Sequence, residues 1–418
     1  MVLKWNKHTL FLAVVVIGGL ISCTTDNLQE QKHTEFKENK DSIEFVKKNT
    51  AKIKQLDATF KNRVRTDGFN GCILVAQHGN VLYRNVAGFS NIKKRDTLQL
   101  NSVFQLASTS KTLTAGAILL LKEQNKLSVN DLVVKHLPNF PYKDITIQML
   151  LSHRSGLSNY LYFCEPLCDE RNCYNDKAMN NEDVLSILQT TQPALYARPN
   201  KKFEYSNTNY ALLASIVEKV SGMSFSNFME QSIFQPLGMM DTWVIGSKKD
   251  SLCKLKTRGH NANGSLEQDN YADYVVGDKG IYSTIDDMYK WSDALYTGKM
   301  LKKETLDEAF QGYSNEHPGK RNYGYGWRLI DEGDDNKVVY HNGWWHGYSS
   351  LFYRRLSDST TVILLSNKFN SKTYHIEDIL AVLNNAKPQI SEVKKTKEPK
   401  KKRRTIAQIN RPINTKRQ

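Results

Sequence analysis

The sequence has little of several things, and each shortage excludes something. Its long apolar runs are few: Leu10–Ile21 is only 12 residues, whereas a membrane-spanning helix needs about 20. With 40% apolar and 24% charged residues, it is neither a polytopic membrane protein, a disordered chain nor a collagen. Cysteine is scarce, 6 in 418 residues, and no internal repeat is present. Acidic residues are outnumbered, 43 against 58 Lys and Arg, for a net charge of +15. That excess sits mainly at one end. Residues 388–418 hold 11 Lys/Arg and two acidic residues, and Lys4 and Lys7 lie in residues 1–22, so the body is left at about +4. The same tail has no Phe, Tyr or Trp. Single-strand binding needs aromatic platforms for bases as well as cations, so nucleic acid is not expected as a partner. An anionic surface meeting residues 394–404 is one reading of the tail, and a solvated, disordered segment is the plainer one.

The N-terminus sets the compartment. Two lysines, an apolar run and then Leu20-Ile21-Ser22-Cys23 fit a secretory leader and resemble a bacterial lipobox. The reading is a signal peptide over 1–22, lipidation of Cys23 and a polar tether over 23–42. The alternative is an ordinary signal peptide with a chance cysteine. Thr24 rather than Asp follows the cysteine, which by analogy implies an outer-membrane lipoprotein facing the periplasm. Acyl chains at about 0.8 kcal/mol per buried CH₂ would hold it in the bilayer. Cys164, Cys168 and Cys173 crowd together without a histidine, so in an oxidising compartment a loop disulfide is preferred to zinc. Cys72, inside an apolar strand pattern, reads as a buried thiol.

Apolar residues from Ile43 to Val64 recur near helical spacing and predict a helix over 42–65. Gly71–Ala87 reads as two strands around a His-Gly-Asn turn. Leu113–Leu121 reads as a buried helix. Asn209–Val220 reads as another, with Ser206 or Asn207 to cap it and Gly222 to end it. Ser349–Arg354 and Thr360–Ser366 read as late strands. Strands at both ends of the body and helices between predict a sheet assembled from the two ends, covered by helices, with a helical insertion. The body spans 43–387, and 388–418 follows as the basic tail.

Four Ser-x-x-Lys patterns occur, at Ser90, Ser108, Ser251 and Ser391, and only Ser108 leads directly into a buried apolar helix. There Ser108 and Lys111 share a helix face. An amine beside a hydroxyl can activate it as a nucleophile, and a free N–H at a helix start can face an oxyanion. Tyr205-Ser-Asn207 supplies a phenol and an amide ahead of a helix; alone it is equally a capping turn. His341-Asn-Gly343-Trp344-Trp345 precedes a strand; alone it is equally a glycine turn with an aromatic plug.

Together, with 97 residues from Ser108 to Tyr205 and 136 more to His341, these motifs resemble the serine β-lactamase and penicillin-binding protein superfamily, in its class C-like branch. Ile145–Leu157, Pro236–Met239, Gly280–Thr284 with Asp287, and Tyr323–Trp327 resemble the same family, over about residues 60–370. The resemblance implies a β-lactamase/transpeptidase-like α/β (α+β) fold, with an antiparallel sheet flanked by helices plus a mostly helical subdomain. It implies a serine hydrolase that forms an acyl-enzyme on Ser108, with no metal and no organic cofactor. Lys111 would share or remove the serine proton, and Tyr205 would serve as second acid/base. Asn207 would position Lys111 and the substrate amide. His341 would dock a substrate carboxylate or bond Tyr205, and Gly343 would let backbone approach the substrate. The N–H groups of Ser108 and Trp344 would form the oxyanion hole. Substrates would be D-amino-acid peptides, peptidoglycan-type amides, β-lactams or esters. Relatives more often carry Lys at position 341, and a mostly neutral His binds carboxylate less strongly. That lowers the expectation of efficient penicillin hydrolysis. A carboxylesterase, or a non-catalytic penicillin-binding-type protein, is the alternative. His153 reads as structural, and Asp278-Lys279 as a pair whose place the sequence does not reveal.

Overall fold

The computed structural model describes residues 44–385 apart from 166–177, 317–318, 332 and 334–335. The leader, Cys23, the tether, Cys168, Cys173 and the tail therefore lie outside the described residues. Among those described, no helix is long and apolar enough to cross a membrane.

The two ends of the body meet in one sheet. Strands β1 (Gly71–Gln77) and β2 (Asn80–Ala87) are followed by short strands β3 (Phe89–Asn91), β4 (Asp96–Thr97), β5 (Phe104–Gln105), β6 (Trp243–Val244) and β7 (Ile281–Ser283). The late strands are β8 (Arg321–Tyr323), β9 (Arg328–Asp331), β10 (Lys337–Trp345), β11 (Tyr348–Arg355) and β12 (Thr360–Ser366). The seven-stranded sheet runs β2-β1-β12-β11-β10-β9-β8, antiparallel at every pairing. Strands β1 and β12 carry near-continuous apolar runs because both of their faces are covered. In β1, Cys72, Leu74 and Ala76 enter the main core. Ile73 and Val75 face a second core with Leu56, Phe60, Ile379 and Val382 from the first and last helices. A slip of one residue would exchange the two sets, so burial fixes the register. Cys72 is a buried thiol, its Sγ 3.4 Å from the Gln99 carbonyl, and burial pushes its pKa up.

Between the two halves of the sheet in chain order comes the helical part. Helix Ser110–Glu123 is buried along nearly its whole length and packs on helix Asn207–Ser221. The first helix differs from its predicted bounds. It runs Thr50–Asp67 after a separate helical stretch over 44–48. At Asn49 the side-chain amide bonds back to the Phe45 carbonyl at 2.9 Å, the local competition that interrupts helices at Asn. Ser206 occupies the N-cap of Asn207–Ser221 without capping it, because its hydroxyl donates to the Ser158 carbonyl at 3.1 Å. Gly222 ends that helix in the left-handed region at φ 71°.

Candidate active site

The chain leaves β5, turns through Ala107–Thr109 and enters helix Ser110–Glu123. Ala107 holds φ +48°, an unfavourable backbone for alanine that aims the next residue outward. From Ser102 to Leu119 every residue is buried except Ser108. The sheet clamps this turn. Ser350 Oγ of β11 donates to the Leu106 carbonyl at 2.6 Å and lies 2.9 Å from Thr109 Oγ1. Gly343 of β10 lies so close that a Cβ there would sit 2.3 Å from Leu106 O and 2.9 Å from Ser108 N. The glycine thus admits the Ser108 turn itself to the strand.

Three motifs distant in sequence meet at one oxygen. Lys111 Nζ donates to Ser108 Oγ at 3.1 Å, and Tyr205 Oη donates to the same atom at 3.0 Å. Lys111 also donates to Asn207 Oδ1 at 2.9 Å and to the Asp278 carbonyl at 2.8 Å. Its nitrogen lies 5.1 Å from the centre of the Tyr205 ring and 5.6 Å from that of Tyr210. A hydroxyl held between an amine and a phenol at the start of a buried helix can attack an acyl carbon and pass its proton along either partner. Among the described residues, no group of three or more His, Cys, Asp or Glu could hold a metal.

His341 departs from its expected place. Its imidazole is fully buried, with Nε2 3.1 Å from Tyr323 Oη and Nδ1 2.8 Å from the Asn342 carbonyl. Its bonding partner is Tyr323, not Tyr205. Burial, then the neighbouring Arg328 and Lys111 charges, hold its pKa well below 6.5. A neutral, enclosed ring behind the cleft wall does not present a cation to a carboxylate. Arg328 lies nearby, paired across from Tyr340 in the neighbouring strand. It is partly exposed, its guanidinium carbon lies 5.6 Å from the centre of the Tyr205 ring, and it makes no ion pair among the described residues. The sequence offered no motif for it. Trp344 is exposed and Trp345 half-buried on the part of β10 beyond Tyr340, where pairing with β9 stops.

His153 packs behind Tyr205. It is wholly buried, accepts from Ser206 N at 3.3 Å, lies 2.9 Å from Asn209 Nδ2, and packs 4.3 Å from Tyr205 ring to ring. Burial first, then Lys111, His341 and Arg328, hold its pKa well below 6.5. Both histidines are therefore neutral when folded and take up protons only on unfolding. Since the unfolded chain binds more protons, stability falls as pH drops below the unfolded value of about 6.5. The expected loss between pH 7 and pH 5.5 is about 2–3 kcal/mol for the pair. Urea denaturation at the two pH values measures it, and equal stabilities would contradict the assignment.

A mixed α/β fold built on an antiparallel sheet, with Ser, Lys and Tyr converging at a helix start, defines the β-lactamase/transpeptidase-like class. The family described as Beta-lactamase matches residues 56–387, and the chain belongs to it. It is 33% identical to Penicillin-binding protein 4* of Bacillus subtilis over 338 residues, 77% of this chain and 73% of the relative. Its fold superposes on the octameric penicillin-binding protein homologue from Pyrococcus abyssi with a TM-score of 0.70 at 24% identity, over 81% of this chain and 78% of that one. It also superposes on the D-amino acid amidase from Ochrobactrum anthropi SV3 with a TM-score of 0.65 at 21% identity, over 81% and 99%.

Proposed function

We propose that the protein is a serine hydrolase that forms an acyl-enzyme on Ser108, acting on D-amino-acid peptides or peptidoglycan-type amides. The observation that carries this is the convergence of Lys111 Nζ and Tyr205 Oη on Ser108 Oγ at 3.1 and 3.0 Å. Ser108 Oγ bonds to the acyl carbon while its proton passes to Lys111 or Tyr205. The backbone N–H groups of Ser108 and Trp344 face the oxygen that gains charge. Tyr205 then protonates the leaving nitrogen as the C–N bond breaks. Water, activated by the same groups, releases the acyl chain and restores Ser108. Asn207 holds Lys111 and the substrate amide. Arg328, rather than His341, supplies the positive charge for a substrate carboxylate. β-Lactams and short esters present the same acyl chemistry, and the exposed Trp344 offers an apolar surface for an ester. Lipidation at Cys23 would place this site on a membrane surface facing the periplasm.

A fluorescent penicillin and a fluorophosphonate test the reading. Both are expected to label the mature protein, with the adduct mapped by mass to the peptide holding Ser108. No label, or a label elsewhere, would sink it. Turnover of D-Ala-D-Ala peptides, nitrocefin and p-nitrophenyl esters then separates peptidase, lactamase and esterase.

A further inference from the structure

The Asp278-Lys279 dipeptide lies directly behind Lys111. Both side chains are almost wholly buried, and their charged atoms are 3.6 Å apart. Tyr160 stands between them: Lys279 Nζ donates to Tyr160 Oη at 2.5 Å, and Tyr160 donates to Asp278 Oδ2 at 3.1 Å. Lys279 also donates to the Val275 carbonyl at 3.0 Å. The Trp345 ring, at the open end of β10, lies 4.8 Å from the ammonium, and its indole N–H donates to Asp273 Oδ1 at 2.7 Å. The Asp278 carbonyl in turn accepts from Lys111.

The loop also has ties that do not involve these charges. Asn181 ties Val276 through both its N–H and its carbonyl, at 2.8 and 2.9 Å. Thr114 donates to the Gly277 carbonyl at 2.8 Å. Gly277, at φ +98°, packs where a Cβ would come within 2.3 Å of Tyr210 O. A buried ion pair is costly to desolvate and can often be replaced by apolar groups without loss of stability. What the pair adds is a fixed orientation of the 278 carbonyl and a second cation beside Lys111.

We propose that Asp278, Lys279 and Tyr160, capped by Trp345, are positioning residues that set the place of Lys111 and the charge around it. This rests on the Ser108 acylation reading. The charged groups that face Lys279 are Asp278, Asp273 and Lys111. Removing the Lys279 charge takes a cation away from Lys111, so the pH midpoint of acylation moves upward. Removing only the Tyr160 hydroxyl loosens the same link while keeping the ring.

The test is the rate of Ser108 labelling by a fluorescent penicillin across pH 5.5–9, with thermal melting, for wild type, Lys279→Met, Tyr160→Phe and Ser108→Ala. Lys279→Met is expected to label about 10- to 100-fold more slowly, with its pH midpoint raised. Tyr160→Phe is expected to shift the same way by less and to melt lower than wild type, since Asp278 Oδ2 and Lys279 Nζ each lose a buried partner. If Lys279→Met does not fold, Tyr160→Phe decides. Wild-type rates and pH profiles in the folded variants overturn the proposal. So does slowing that tracks melting temperature with no change of profile. Failure of wild type to label, or equal labelling of Ser108→Ala, overturns the acylation reading and this inference with it.

Discussion

Lys111→Met is expected to slow acylation of Ser108 by about 10³-fold, within the 10²–10⁴ range for removing a positioned proton acceptor. The methionine keeps the length and apolar stem but removes the amine that is 3.1 Å from Ser108 Oγ. Two further acceptors, Asn207 Oδ1 and the Asp278 carbonyl, lose their donor at the same time. The residual rate should come from Tyr205, 3.0 Å from the same oxygen, and from the oxyanion donors. Tyr205→Phe should therefore be milder than Lys111→Met, and the double variant should not be additive, since both groups serve one proton. Stopped-flow labelling measures all three. A Lys111→Met rate within threefold of wild type would assign the proton to another group.

What the sequence shows and what it hides follow from different physics. Ser108 and Lys111 are legible because helix periodicity fixes their mutual direction within four residues. Tyr205 and Asn207 are legible because they stand at the start of a recognisable helix. The sheet is legible because β1 and β12 are apolar runs that only two-sided burial explains. Arg328 is hidden because it reaches the site by strand pairing: β9 sets it opposite Tyr340, next to His341, and no local pattern announces a partner across a loop. The Asp278 contribution is a backbone carbonyl, which every residue type supplies. His341 is misjudged for a related reason. A histidine on a strand beside a cleft reads as a cation or donor to substrate. Its burial against Tyr323 instead makes it neutral and inward-bonded. The permanent positive charge beside the phenol is thus Arg328, 5.6 Å from the centre of the Tyr205 ring, while Lys111 bonds the attacking oxygen.

Gly343→Ala is expected to lose most of its activity through steric displacement of the Ser108 turn. Gly343 is not among the positive-φ residues, so alanine meets no backbone penalty there and the effect is purely steric. An added Cβ would lie 2.3 Å from Leu106 O, 2.5 Å from Ser350 Oγ and 2.9 Å from Ser108 N. Two of these are backbone atoms of the segment that carries the nucleophile, and they cannot rotate away. Either β10 or the Ser108 turn must withdraw by several tenths of an ångström or more. Overpacking of this kind costs about 1–3 kcal/mol, and a displacement near 1 Å costs about 10²-fold in rate. The strand is also tied by its pairing to β11, so the turn is the part that gives. The N–H of Ser108 then leaves the oxyanion position together with its hydroxyl. Gly343→Ala should accordingly lose labelling by about 100-fold or more while retaining its sheet by circular dichroism. Adding Ser350→Ala removes one of the three obstructions and should restore part of the rate. No restoration together with an unchanged melting temperature would mean that the strand, not the turn, had moved.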